Sequence, residues 1–79
     1  MTKTELFNEW QDAMYIAHDK DGNRIRRFTL VREMGTGVAY TDNRTNEDGS
    51  LYDPGEHFVS TEHMQSDINF ERSCKAMIR

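Results

Sequence analysis

Apolar residues recur at helical spacing near the N-terminus, with polar residues between them. The apolar positions are Leu6, Phe7, Trp10, Ala13, Met14 and Ala17. Thr2 and Glu5 match a capping box, in which a Thr side chain and a Glu three positions later satisfy backbone N–H groups at the start of a helix. The pattern predicts a helix to Asp12. Residues 13–18 fit either a continued helix or a strand.

A turn and two β-prone segments follow. Asp, Gly and Asn dominate residues 19–23, and these residue types favour a turn. Ile25 to Glu33 is rich in β-branched and aromatic residues and predicts one strand. Because both of its faces carry apolar side chains, we expect a central strand. Gly35-Thr36-Gly37 and Val38–Thr41 then predict a hairpin with a short Gly-containing loop.

The second half of the chain predicts a long loop, a strand and a helix. Residues 42–56 are polar and acidic, and Leu51 and Tyr52 are expected to pin the middle of this loop to the body. His57–Thr61 predicts a third strand. Ser66 or Asp67 is expected to cap the C-terminal helix. The predicted core residues of that helix are Phe70, Cys74, Met77 and Ile78.

These elements predict an α+β fold. An N-terminal helix, a three- or four-stranded antiparallel meander and a C-terminal helix would form a two-layer sandwich in a single domain of residues 1–79. The chain has 79 residues, so its core must be small, and completion by homodimer formation is a possible outcome.

Composition narrows the functional classes. The chain has no apolar run near the ~20 residues that a membrane span requires, and polar residues follow Met1. No membrane association and a cytoplasmic location are therefore expected. Cys74 is the single cysteine, which excludes an intramolecular disulfide within this sequence.

Chemical motifs are weak. Asp19, Asp21 and Asn23 alternate like calcium ligands, but Arg24 and Leu30 stand where an EF-hand loop needs glycine and glutamate. The histidines and Cys74 show no zinc-ligand spacing. No nucleophile motif or phosphate loop is present in the sequence, so we expect neither an enzyme nor a bound metal or cofactor.

The charge distribution yields the functional hypotheses. The first is a small protein-binding module, an inhibitor or adaptor of the kind found among phage and mobile-element accessory proteins, that presents the acidic loop 42–56 to a larger protein. Its expected contact residues are Glu47, Asp48, Leu51, Tyr52, Asp53, Glu56 and Phe58.

The alternative is a nucleotide- or nucleic-acid-binding protein with a basic hairpin. Its expected phosphate-binding residues are Lys20, Arg24, Arg26, Arg27 and Phe28. Arg24, Arg26 and Arg32 would share a strand face with Phe28, an arrangement that suits phosphate and base contacts. A third interpretation is that these arginines pair with acidic groups of the protein itself.

Overall fold

The computed structural model describes residues 2–19 and 21–77, and it confirms the α+β class. The described part of the chain contains five strands, with one helix before them and one helix after them. In order they are α1 (Lys3–Met14), β1 (Ile16–His18), β2 (Arg24–Arg26), β3 (Phe28–Glu33), β4 (Gly37–Asp42), β5 (His57–Ser60) and α2 (Thr61–Met77). Strands β1 and β2 form a two-stranded ribbon, and β3, β4 and β5 form an antiparallel sheet in that order.

Helix α1 begins at the predicted capping box. The Glu5 N–H donates to Thr2 Oγ1 at 3.1 Å, and the Thr2 N–H donates to Glu5 Oε1 at 3.1 Å. The helix ends at Met14, and Ile16–His18 pairs antiparallel with Arg24–Arg26. The ambiguity over residues 13–18 is thereby resolved, since a short strand follows the helix directly.

The single strand predicted for Ile25 to Glu33 is wrong, because the chain breaks at Arg27 between β2 and β3. At the break the buried Phe28 N–H donates to Gln11 Oε1 on α1 at 3.0 Å, a tertiary contact that a β-propensity pattern does not contain. The expected central position is also wrong. Strand β3 lies at the edge and β4 is central, and Val31 on β3 remains 44% exposed.

The core lies between the two helices and one face of the three-stranded sheet. Helix α1 packs on α2, and both helices contact the sheet. The buried apolar residues form one cluster of Leu6, Phe7, Trp10, Phe28, Val38, Val59, Met64 and Ile68. Trp10 stacks on Phe28 with ring centroids 5.7 Å apart. Aromatic rings therefore fill much of a core that contains few aliphatic residues.

The β3–β4 hairpin confirms the predicted Gly-containing turn. The Met34 N–H donates to the Gly37 carbonyl at 2.7 Å, which closes the turn. Gly37 also lies against β5, where a Cβ atom would stand 2.1 Å from the Val59 carbonyl oxygen. The close approach of β4 and β5 therefore requires glycine at this position.

Helix α2 begins earlier than predicted. Ser60 is the cap, because its Oγ accepts the His63 N–H at 3.0 Å, so the expected cap at Ser66 or Asp67 is wrong. Asp67 instead accepts the Trp10 Nε1–H at 2.9 Å. This contact and the burial of the core residues of α2 fix its orientation.

The predicted core face of α2 is also misplaced. Met64 and Ile68 are buried, whereas Phe70 is 68% exposed. Cys74 is partly buried, and the predictions for Met77 and Ile78 lie outside the part of the chain whose side chains are described. The helix carries too many polar residues for the apolar pattern alone to identify its buried face. Neither described helix has the length and apolar character of a membrane span.

Candidate interaction surface

The first end of the acidic loop is anchored at Asp42, a buried carboxylate at the end of β4. Its oxygens accept the backbone N–H of Arg44 at 2.9 Å and the Arg44 guanidinium at 2.7 Å, and Arg27 Nε lies 3.7 Å away. Burial alone would raise the pKa of Asp42, but the hydrogen bonds from Arg44 and the charges of Arg44 and Arg27 lower it. An ionised carboxylate therefore joins the loop to the break at Arg27.

The middle of the loop forms a small hairpin of its own. Thr45 and Leu51 form an antiparallel bridge, and the Asn46 N–H donates to the Ser50 carbonyl at 2.8 Å. Gly49 has φ +89°, a left-handed conformation that glycine adopts without strain. Asp48 accepts both the side-chain hydroxyl and the backbone N–H of Ser50, and these hydrogen bonds lower its pKa. Asp48 is therefore used to hold the turn.

The other acidic residues of the predicted contact set differ in whether they have a partner within the chain. Glu56 pairs with Arg32 on β3 at 2.6 Å. Asp53 Oδ2 lies 3.3 Å from His57 Nε2, an ion-pair distance without hydrogen-bond geometry. Within residues 2–19 and 21–77, Glu47 makes neither a side-chain hydrogen bond nor an ion pair. Of the loop carboxylates proposed as partner contacts, Glu47 is thus the one without a side-chain partner of any kind among the described residues.

Three apolar residues of the proposed contact set lie at the surface. Leu51 is 50% exposed, Tyr52 is 60% exposed and Phe58 is 52% exposed. The expectation that Leu51 and Tyr52 pin the loop to the body is therefore wrong. The polar anchor at Asp42 does this instead, and the Arg44 guanidinium lies over the Tyr52 ring at 4.4 Å. Phe58 lies on β5, outside the loop, and its side chain faces away from the core. Its neighbour Val59 faces the core, and strand side chains alternate.

The predicted basic face of Arg24, Arg26, Arg32 and Phe28 does not form as one surface, although Arg24 and Arg26 both reach Asp12. Phe28 is 6% exposed in the core, and Arg27 lies over the Tyr15 ring at 5.0 Å beside Asp42. Arg26 pairs with Asp12 at 3.2 Å and donates to Asn8 at 2.7 Å. The break at Arg27 separates Phe28 and Arg32 from Arg24 and Arg26, which still share one face of β2.

The remaining basic residues follow the same trend. Arg24 donates to the Asp12 backbone carbonyl at 3.2 Å, and Arg32 pairs with Glu56. Lys20 lies outside the described residues. Arg26, Arg27 and Arg32 thus lie beside carboxylates of this chain, whereas the side-chain contact of Arg24 is with a backbone carbonyl.

The described residues were also compared with the requirements of a metal site. Residues 2–19 and 21–77 contain no group of three or more His, Cys, Asp or Glu side chains that could hold a metal ion. Asp19 forms an ordinary turn, because its Oδ1 accepts the backbone N–H groups of Asp21 and Asn23 at 2.9 Å and 2.8 Å.

A cleft between the β1–β2 ribbon and residues 43–52 is the feature that sequence reasoning missed. Its volume is about 920 Å³. The lining residues are His18, Asp19, Ile25, Asn43, Arg44, Thr45, Asn46, Glu47, Gly49 and Tyr52. Glu47 and Tyr52 were among the expected contacts, but no local pattern brings the 19–25 turn next to this loop. The sequence signal available for this cleft was that both turns beside it are rich in Asn and Gly.

Comparison with known proteins gives no relative from which to transfer a function. No protein-family model, curated protein or solved structure matches this chain significantly.

Proposed function

We propose that this protein is a small protein-binding module, of the inhibitor or adaptor kind, that uses loop 42–56 as its interaction element. The observation that carries the proposal is the combination of an ordered loop backbone with exposed apolar side chains. Hydrogen bonds at Asp42, Asn46 and Asp48 fix the loop, yet Leu51 and Tyr52 are at least half exposed. Holding apolar groups in solvent gives no folding benefit, whereas burial against a partner is favourable.

A preordered loop also suits binding energetically. Association orders loops and side chains at a cost, and a loop that is already fixed avoids part of that cost. Leucine and tyrosine then contribute apolar and aromatic surface of the type that is buried in the centre of interfaces. The acidic groups of the loop act mainly inside it, so apolar contact carries more of the proposed binding than charge does.

Nucleic-acid binding receives less support from the same contacts. A phosphate site needs arginines whose donors are available. Arg26, Arg27 and Arg32 are each paired with a carboxylate of this chain, and Phe28 is buried beneath the surface. These pairings count against the alternative, although Arg24 has only the backbone carbonyl of Asp12 as its side-chain contact.

The test is quantitative affinity capture from the cells that produce the protein. Tagged wild type is compared with Leu51→Ser, which removes an exposed apolar side chain while its backbone bridge to Thr45 is kept. We expect wild type to retain a stoichiometric protein and Leu51→Ser to lose most of it.

Phe70→Ser is the matched control, because Phe70 is a similarly exposed apolar residue on α2, outside the loop. This variant is expected to retain the partner. Equal retention by wild type and Leu51→Ser, or equal loss from Leu51→Ser and Phe70→Ser, would contradict the proposed role of the loop.

A further inference from the structure

The cleft between the ribbon and the loop has the dimensions of a binding site. Its volume of about 920 Å³ falls within the range of roughly 300–1,000 Å³ that is common for ligand sites. Ile25 and Tyr52 give it an apolar and aromatic lining, and both side chains are exposed.

Among the described residues that line the cleft, two carboxylates outnumber one guanidinium. Arg44 lines the cleft, but its guanidinium is bound by Asp42, so its charge is compensated locally. Asp19 uses Oδ1 for the turn, and within the described residues its Oδ2 makes no hydrogen bond or ion pair. Glu47 likewise has no such contact in residues 2–19 and 21–77. His18 and Tyr52 are the other titratable side chains of the described lining.

Both sides of the cleft are fixed by local hydrogen bonds. On the ribbon, the Asp19 N–H donates to the Asn23 carbonyl at 2.9 Å. On the loop, the Tyr52 N–H donates to the Arg44 carbonyl at 3.0 Å. The carboxylates of Asp19 and Glu47 are thus attached to two ordered turns beside the same cleft.

We propose that this cleft receives a lysine or arginine side chain of the partner protein. This inference rests on the proposed function and deepens it, by naming the chemistry that the loop recognises. The aliphatic stem of the basic side chain packs against Ile25 and Tyr52, and its cation lies near the carboxylates of Asp19 and Glu47. Long basic side chains commonly combine apolar stem contact with a solvated, paired head group.

The test uses the isotopically labelled full chain and four blocked peptides. The peptides are acetyl-Ala-Leu-Xaa-Leu-Ala-amide, in which Xaa is lysine, arginine, norleucine or glutamate. We expect the lysine and arginine peptides to shift the amide resonances of Ile25, Gly49 and Tyr52. The norleucine peptide keeps the apolar stem without the charge, and we expect it to bind about two- to fivefold more weakly than the lysine peptide.

A charge-matched pair of variants tests the carboxylate. Glu47→Gln should weaken binding of the lysine peptide by about two- to fivefold, the effect of one exposed ion pair. Glu62→Gln removes the same charge from an exposed position on α2 and should leave the affinity unchanged.

The inference is overturned if millimolar lysine peptide shifts no resonance, if the shifts lie outside the cleft, or if norleucine binds as well as lysine. Failure of the proposed function looks different. In that case the lysine peptide still binds in the cleft, but capture finds no partner that depends on Leu51. If capture depends on Leu51 and neither the peptides nor Glu47→Gln have an effect, the function stands and the cleft assignment fails.

Discussion

The sandwich and the ribbon end of this molecule are stabilised in different ways. The sandwich comprises α1, α2 and the β3–β5 sheet, and the ribbon end comprises β1, β2 and loop 42–56. In the sandwich Phe7, Val38 and Met64 are 0% exposed. At the ribbon end Ile16 and Tyr52 are each 60% exposed. Apolar burial therefore stabilises the first region, while turns, hydrogen bonds and the Asp42 ion pairs hold the second.

Because of this difference, the residues that stabilise the fold are not the residues that are exposed for binding. Because the ribbon end does not need its exposed apolar residues for its own cohesion, those residues remain free for another surface. The substitutions below should therefore have large effects on folding in the sandwich and small effects in the exposed parts of the ribbon end.

Trp10→Ala should cause the largest loss. It removes the centre of the aromatic core and leaves Asp67 without its indole donor. We expect a decrease of about 3–5 kcal/mol in the free energy of unfolding, measured by urea denaturation. Tyr52→Ala removes an exposed aromatic ring at the ribbon end and should cost under about 1 kcal/mol. Similar losses of unfolding free energy for the two variants would contradict the difference between the sandwich and the ribbon end.

Gly37→Ala should cost about 3 kcal/mol, because the added Cβ meets the β5 backbone. Gly35→Ala is the matched control in the same hairpin, where no heavy atom lies within 4 Å of the added carbon. Its stability should stay within about 0.5 kcal/mol of wild type. Equal urea midpoints for the two variants would show that β4 and β5 do not approach closely at Gly37.

Asp42→Asn tests the polar anchor of the ribbon end. It leaves Arg27 and Arg44 without their shared carboxylate, and we expect a loss of about 2–3 kcal/mol at neutral pH. Asp12→Asn interrupts an exposed pair with Arg26 and should cost less than about 1 kcal/mol. If Asp12→Asn proved the more harmful, the loop would not depend on Asp42.

The pH dependence of stability provides a second test of Asp42. Its pKa is lowered in the folded protein, so its contribution is fully present above the unfolded-state value of about 3.9. The contribution is lost as the pH falls from that value through the lower folded-state pKa. The difference in unfolding free energy between wild type and Asp42→Asn should therefore shrink as the pH falls below about 4. A constant difference over that range would contradict an ionised Asp42.

Ser60→Ala should have the smallest effect on folding that is still clearly measurable. It removes the cap of α2 and should cost about 1 kcal/mol. Ser66→Ala changes the residue that the sequence pattern had favoured as a cap, and it should be neutral because Ser66 lies within the helix. A larger loss from Ser66→Ala would move the start of α2.

The elements that the sequence predicts correctly are those with local chemical signals. Thr2 and Glu5 specify the start of α1, and the glycines flanking Thr36 specify the hairpin turn. The start of α2 was missed because Ser60, Ser66 and Asp67 are all acceptable caps. The choice among them depends on the packing of Met64 and Ile68 in the core, which is tertiary information.

The candidate surface was predicted only in part. An acidic polar stretch correctly indicated the long loop between β4 and β5, but the expected burial of Leu51 and Tyr52 is wrong. Its composition did not reveal that Asp48 would hold a turn or that Glu56 would pair with Arg32. The break at Arg27 depends on the distant Gln11, so alternation along the strand misplaced the basic residues.

The most direct test measures partner retention and unfolding free energy together for Leu51→Ser. We predict that stability stays within about 0.5 kcal/mol of wild type, since half of this side chain is already in solvent, while the captured partner is lost. Retention of the partner at the wild-type level with unchanged stability would contradict the proposal that the ribbon end exposes its apolar residues for binding.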